Sequence, residues 1–142
     1  MSQSVQKVSV ISLFVDDFER SKGFYEKVFE ASSLFEDDVS AVMRFENLLI
    51  NLLKGSEADE LIEPAKVGSA ASGSPSMFTI FVESADETYE LLKSRGVEFL
   101  NGPIDRPWGV RTAAFLDPGG FAWEIAEQLE SFGETPPLGD PT

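Results

Sequence analysis

The stretch Arg111-Thr112-Ala113-Ala114-Phe115-Leu116-Asp117-Pro118-Gly119-Gly120-Phe121-Ala122-Trp123-Glu124-Ile125 reads as two β-strands joined by a tight turn. Pro118 presets φ at the second turn position, and the glycines after it accept positive φ at no steric cost. Strands are therefore expected over Arg111–Leu116 and Phe121–Ala126. Upstream, Met77–Val82 is β-rich, and Ser84-Ala85-Asp86-Glu87 has the spacing of a capping box that opens a helix through Leu91, Leu92 and Arg95. Gly96 is placed to stop that helix in a left-handed cap, and Val97–Leu100 reads as a further short strand. This half of the chain thus runs strand, helix, then three strands.

The first half repeats the order. Val8–Val15 is a strand, and Phe18, Phe24, Tyr25, Val28 and Phe29 then recur at helical spacing. Either Asp16, with Glu19 three residues on, or Asp17 supplies the N-cap. Strands follow near Ser32–Phe35, Ser40–Phe45 and Leu48–Leu53, with a tight turn at Glu46-Asn47. Ile11–Val15 aligns with Phe78–Val82, and Asn51 with Glu124. The reading is an α+β fold of two tandem βαβββ modules, residues 1–55 and 77–130, within one structural domain. Residues 56–76 show no sustained periodicity and read as a linker loop, and residues 131–142, rich in Pro and Gly, as a flexible tail. Modules this small cannot each bury a sheet alone, so they are expected to pack together or against a partner chain.

Composition removes many functions. Of 142 residues, 25 are acidic and 11 basic, a formal net charge of −14, with no His and no Cys. Such a surface repels phosphate backbones and anionic headgroups, so neither nucleic acid nor membrane is an expected partner. Without Cys there are no disulfides, thiolate-bound zinc or iron–sulfur clusters, and no thiol nucleophile. Without His there is no Ser-His-Asp triad and no imidazole base. No apolar run approaches the ~18 residues of a membrane span, and Val8–Val15, followed by two acids, is a strand and not a signal core. A cytoplasmic location is expected. Acidic clusters such as Asp16-Asp17 and Glu36-Asp37-Asp38 read as solvated caps and loops.

Period-two alternation sorts the strands into faces. Val10, Ser12 and Phe14 share one face of the first strand, and Met77, Thr79 and Phe81 share the equivalent face of its repeat. Leu49, Asn51 and Leu53 join the first set, and Ala122, Glu124 and Ala126 the second. The opposite faces, with Ile11, Leu13 and Val15, Phe78, Ile80 and Val82, and Trp123 and Ile125, are apolar and should meet the helices.

The segment Pro107–Ile125 resembles the C-terminal signature of the vicinal oxygen chelate superfamily, which includes glyoxalase I, bleomycin-resistance proteins and extradiol dioxygenases. Phe14–Ser21 with Phe24-Tyr25 resembles its N-terminal signature, and with the repeat the resemblance spans most of Val8–Glu127. It implies curved mixed sheets forming a cleft around a small molecule. In metal-using relatives four cleft side chains, His, Glu or sometimes Gln, bind the ion. Those positions fall on Val10, Asn51, Met77 and Glu124. Val10 offers no donor atom, Met77 a soft thioether, Asn51 a weak neutral oxygen, and Glu124 alone a normal hard-metal ligand. No metal and no other cofactor is expected.

The expected function is a metal-free small-molecule binding protein of the bleomycin-resistance type, holding a hydrophobic or cationic, antibiotic-like ligand. The alternative is a glyoxalase-like lyase or isomerase, or another enzyme of the superfamily, using Glu124 with a weakly held metal or none. Candidate ligand-binding residues are Glu124, Trp108, Asn51, Arg111, Phe14, Phe81, Met77 and Val10. If a reaction occurs, Glu124 is the catalytic candidate, as a general base. Glu124 is either a ligand anchor or a structural partner, for instance of Arg111. Trp108 is either a stacking platform or a loop anchor. Phe14 and Phe81 are either cleft walls or core. Open sheet edges favour a homodimer, side by side or with units exchanged.

Overall fold

The computed structural model describes residues 4–129. The chain forms two compact units, Met1–Ser72 and Gly73–Thr142. The first contains β1 (Val10–Val15), α1 (Phe18–Val28), β2 (Ser33–Glu36), β3 (Ser40–Arg44), β4 (Leu49–Lys54) and a single-turn helix, α2 (Asp59–Ile62). The second contains β5 (Met77–Phe81), α3 (Ala85–Ser94), β6 (Ile104–Asp105), β7 (Val110–Leu116) and β8 (Ala122–Gln128). The sheet orders are β1-β4-β3-β2 and β5-β8-β7-β6. In each, the first strand runs parallel to the last, and the remaining pairs are antiparallel. The α+β class and the βαβββ order of both halves hold, each sheet being mixed.

In the first unit, Asp17 and not Asp16 caps α1, its Oδ1 accepting the Arg20 N–H at 3.2 Å. Tyr25 and Val28 turn inward from that helix, and Leu13, Val15, Ala41, Met43, Ile50 and Leu52 meet them from the sheet, all buried. Phe45, in the turn after β3, closes on the rings of Tyr25 and Phe29. Its N–H bonds the Leu48 carbonyl at 3.1 Å, which makes the expected turn over Glu46-Asn47.

In the second unit, the Ser84 hydroxyl accepts the Glu87 N–H at 3.1 Å. The free N–H of Ala85 is taken by Glu127 Oε1 from β8 at 2.9 Å, so the sheet itself finishes capping the helix. Gly96 ends α3 at φ 93°, the left-handed cap its position predicts. Asp117 Oδ1 accepts the N–H groups of both Gly119 (3.0 Å) and Phe121 (2.9 Å). Gly120 takes φ 88°, and the β7–β8 register follows from Leu116 opposite Ala122.

Two expectations shift. Val97–Leu100 makes only an isolated bridge, Phe99 to Phe115, and the strand that borders β7 is β6, further along. The Asn101 side-chain oxygen takes the Ala114 N–H at 3.1 Å, and Pro103 lacks a donor, so the ladder is interrupted between the two stretches. The segment read as a linker over residues 56–76 contains α2 and two turns of 3-10 helix, Gly55–Glu57 and Ala70–Ser72. Ala58 is fully buried. The expected tail, residues 131–142, lies outside the described residues. No helix among the described residues is long and apolar enough to cross a membrane.

Because Asp117 is 5 % exposed and serves two backbone donors, Asp117→Ala should destabilise the protein by about 1–3 kcal/mol, read as a lower urea midpoint with an unchanged slope.

Candidate functional site

Each sheet buries one face against its own helix, and the opposite, more open face still buries Leu53 in the first sheet and Thr112 and Ala126 in the second. In the second unit the strand registers place Met77, Thr79 and Phe81 of β5 beside Ala122, Glu124 and Ala126 of β8, and those beside Leu116, Ala114 and Thr112 of β7. Glu124 is half-buried among these mostly apolar neighbours, and its Oε1 accepts the Thr79 hydroxyl at 2.9 Å. Met77 is exposed and Phe81 half-buried.

The first unit repeats the arrangement. Ser12 of β1 lies opposite Asn51 of β4, as Thr79 lies opposite Glu124. Asn51 Nδ2 donates to the Ser12 hydroxyl at 3.3 Å. Asn51 Oδ1 is buried and has no hydrogen-bond partner. Val10 is exposed on this face, while Phe14 is half-buried beside Leu53. Thus each sheet carries, at the same point of its repeat, a hydroxyl on the first strand bonded to an amide or carboxylate on the last. Two shallow depressions of this unit share Asp16 and Lys54 at the ends of β1 and β4, and neither includes Asn51.

Arg111 is not a partner of Glu124. It faces Glu127 across the β7–β8 ladder, whereas Glu124 faces Ala114, so the two side chains leave opposite faces of the sheet. On the helix side the Arg111 guanidinium grips Asp105, Nε to Oδ1 at 2.6 Å and Nη2 to Oδ2 at 3.2 Å, and reaches Asp86 of α3 at 3.2 Å. This clamp ties β6, β7 and α3 together. The hydrogen bonds from Arg111 hold the Asp105 carboxyl below its ordinary 3.8. Trp108 sits at the tip of the β6–β7 hairpin, 57 % exposed, where Gly109 turns the chain at φ 88°.

The same hairpin brings in a residue that the sequence reading passed over. Arg106 continues the alternation of Ile104, on the open face, and its backbone N–H bonds the Val110 carbonyl at 2.8 Å. Its side chain turns toward Thr112, with Nε on the threonine hydroxyl at 3.0 Å. The signal that could have found it is parity counted back from Glu124 through the hairpin. That count also excludes Arg111.

The match to the model of the glyoxalase/bleomycin resistance protein/dioxygenase superfamily runs over residues 7–125. The chain belongs to this superfamily. It is 31 % identical over 127 residues to the uncharacterized protein YraH of Bacillus subtilis (strain 168), covering 87 % of this chain and 99 % of YraH. Its fold is similar to a glyoxalase/bleomycin resistance protein/dioxygenase from Nocardioides, with TM-score 0.82 and 24 % identity, over 95 % of this chain and 91 % of that one. It is also similar in fold to the lactoylglutathione lyase of Agrobacterium tumefaciens, with TM-score 0.67 and 17 % identity, over 92 % of this chain and all of that one.

The side chains present do not suit the metal that many members of the superfamily carry. At the four positions expected to ligate it stand Val10, Asn51, Met77 and Glu124. One lacks a donor and one is a soft thioether. The other two already bond hydroxyls on their own sheets. Among the described residues no three His, Cys, Asp or Glu side chains gather closely enough to hold a metal ion.

The Arg111 clamp makes a prediction about acid. Asp105 has a depressed pKa in the folded state, so its contribution is present above its ordinary value of 3.8 and is lost as pH falls through the folded value. Asp105→Asn should therefore lower the melting temperature by a few degrees at neutral pH. As pH falls through the lowered folded value, the gap to the unaltered protein should close in parallel thermal melts.

Proposed function

We propose that this superfamily member is a metal-free small-molecule binding protein, in the manner of the bleomycin-resistance proteins, and that its ligand rests on the open face around Glu124. The observation that carries the reading is the donor set. A site with one carboxylate, one amide, one thioether and one valine cannot supply the hard ligands that hold a divalent ion tightly. The face around Glu124 is instead apolar with a few polar groups, the usual make-up of a ligand pocket. A half-buried carboxylate there favours a ligand that presents a cation or a hydrogen-bond donor beside a hydrophobic body. The strongly negative charge of the chain would draw such a ligand in.

Protein purified without chelator should contain far less than one divalent ion per chain by elemental analysis. A stoichiometric ion would reject the metal-free reading and favour the enzymatic alternative. Hexylamine, a cationic and apolar probe, should raise the melting temperature of the unaltered protein. It should do so much less for Glu124→Gln, whose own stability should be nearly unchanged. Equal stabilisation of both proteins would remove Glu124 from the site.

We also propose that the protein works as a homodimer. The edge strand β2 leaves Leu34 and Phe35 more than half exposed beside unpaired backbone groups, a combination that invites a second copy. Light scattering should return twice the chain mass of 15.6 kDa, and a monomer would reject the dimer.

A further inference from the structure

The open face of the second sheet carries two opposite charges that do not meet. Glu124 uses Oε1 on Thr79, and Oε2 has no protein partner among the described residues. Arg106 uses Nε on Thr112, and its two terminal nitrogens likewise have none. No ion pair joins the two side chains. Thr112 and Glu124 are diagonal neighbours across the β7–β8 ladder, since Thr112 lies opposite Ala126 and Ala114 opposite Glu124. Diagonal neighbours stand about 7–8 Å apart.

What lies between them is small. Ala114 and Ala126 fill the other two corners of that square, and Ala122 extends it along β8. Larger apolar side chains border it, with Phe81 opposite Ala126, Leu116 opposite Ala122 and Ile104 opposite Thr112. A long residue at either alanine would fill the gap between the charges. Ala114 and Ala122, both half-buried, leave room there for a ligand chain over the buried Ala126, with a carboxylate at one end and a guanidinium at the other.

We infer that Arg106 is a specificity residue that binds an anionic group of the ligand, so that the ligand class is zwitterionic, with a cation or donor for Glu124 and a carboxylate or similar acceptor for Arg106. The inference rests on the reading that this face takes a small molecule, and it narrows that reading from any hydrophobic cation to one bearing a second, opposite charge. Arg106 is suited to the task because Thr112 holds its Nε, leaving the two terminal nitrogens as a pair of donors for a planar acceptor. A lone cation would leave that guanidinium unpaired on a partly desolvated face.

Three probes of equal chain length separate the contributions: ε-aminocaproate, hexylamine and caproate. Titrated into the intact chain and followed by NMR, ε-aminocaproate should bind about tenfold more tightly than hexylamine. Both carboxylates should shift the Arg106 Nε–H resonance, and hexylamine should not. In Arg106→Gln the affinity for ε-aminocaproate should fall to that for hexylamine, while hexylamine binds as before. Should that variant fail to fold, the three titrations of the unaltered protein decide by themselves. If hexylamine binds but ε-aminocaproate binds no more tightly and the Arg106 resonance stays still, the role of Arg106 is overturned and the small-molecule reading stands. If none of the three probes moves any resonance of this face, both fall.

Discussion

In each sheet the last strand, β4 or β8, is hydrogen-bonded on both sides, parallel to the first strand of its unit and antiparallel to the strand before it. The sheet side chains that matter to the fold and to the candidate site take their faces from the register with that strand. Ile50, Leu52, Trp123 and Ile125 go to the helix, and Asn51 and Glu124 go to the open face. A slip of one residue would exchange the two sets, burying Glu124 against α3 and exposing Trp123. In the second unit the slip is prevented locally, because Asp117 holds the turn and thereby the pairing of Leu116 with Ala122.

With that register set, polar chemistry separates by face. On the helix side of the second sheet the charges are consumed structurally. Arg111 clamps Asp105 and Asp86, and Glu127 caps α3 through the N–H of Ala85. On the open side the polar groups retain spare capacity, at Glu124 and Arg106 in the second unit and at the unpartnered oxygen of Asn51 in the first. Groups that complete their hydrogen bonding within the fold contribute stability. Superfamily membership does not by itself separate these roles. The same scaffold carries different chemistry according to which side chains stand at the repeated positions.

Much of the architecture was legible from local patterns. The caps at Asp17 and Ser84, the left-handed Gly96 and the turn at Asp117–Gly120 each follow from chemistry within a few residues, as does the alternation of the strands. The strand expected at Val97–Leu100 was misplaced because Asn101 substitutes a side-chain oxygen for a ladder partner. Strand propensity carries no sign of such a bond. The short helical turns after Gly55 escaped for a related reason, since a four-residue helix is too short to show a period.

The sequence by itself determined that two βαβββ units would form and which strand faces would be apolar. It also determined that the four repeated positions hold Val10, Asn51, Met77 and Glu124 and include no histidine. These are properties of residue type, local turn chemistry and alternation. Only the tertiary structure decided which charges meet. Arg111 and Arg106 lie five residues apart in one hairpin, yet one is spent on Asp105 and Asp86 while the other lies on the open face with Glu124. The reason is geometric. Cross-strand register converts odd and even spacing into opposite sides of a sheet, and the register depends on where Ile104–Asp105 pairs with β7, a contact set by the whole unit and not by its neighbours in the chain.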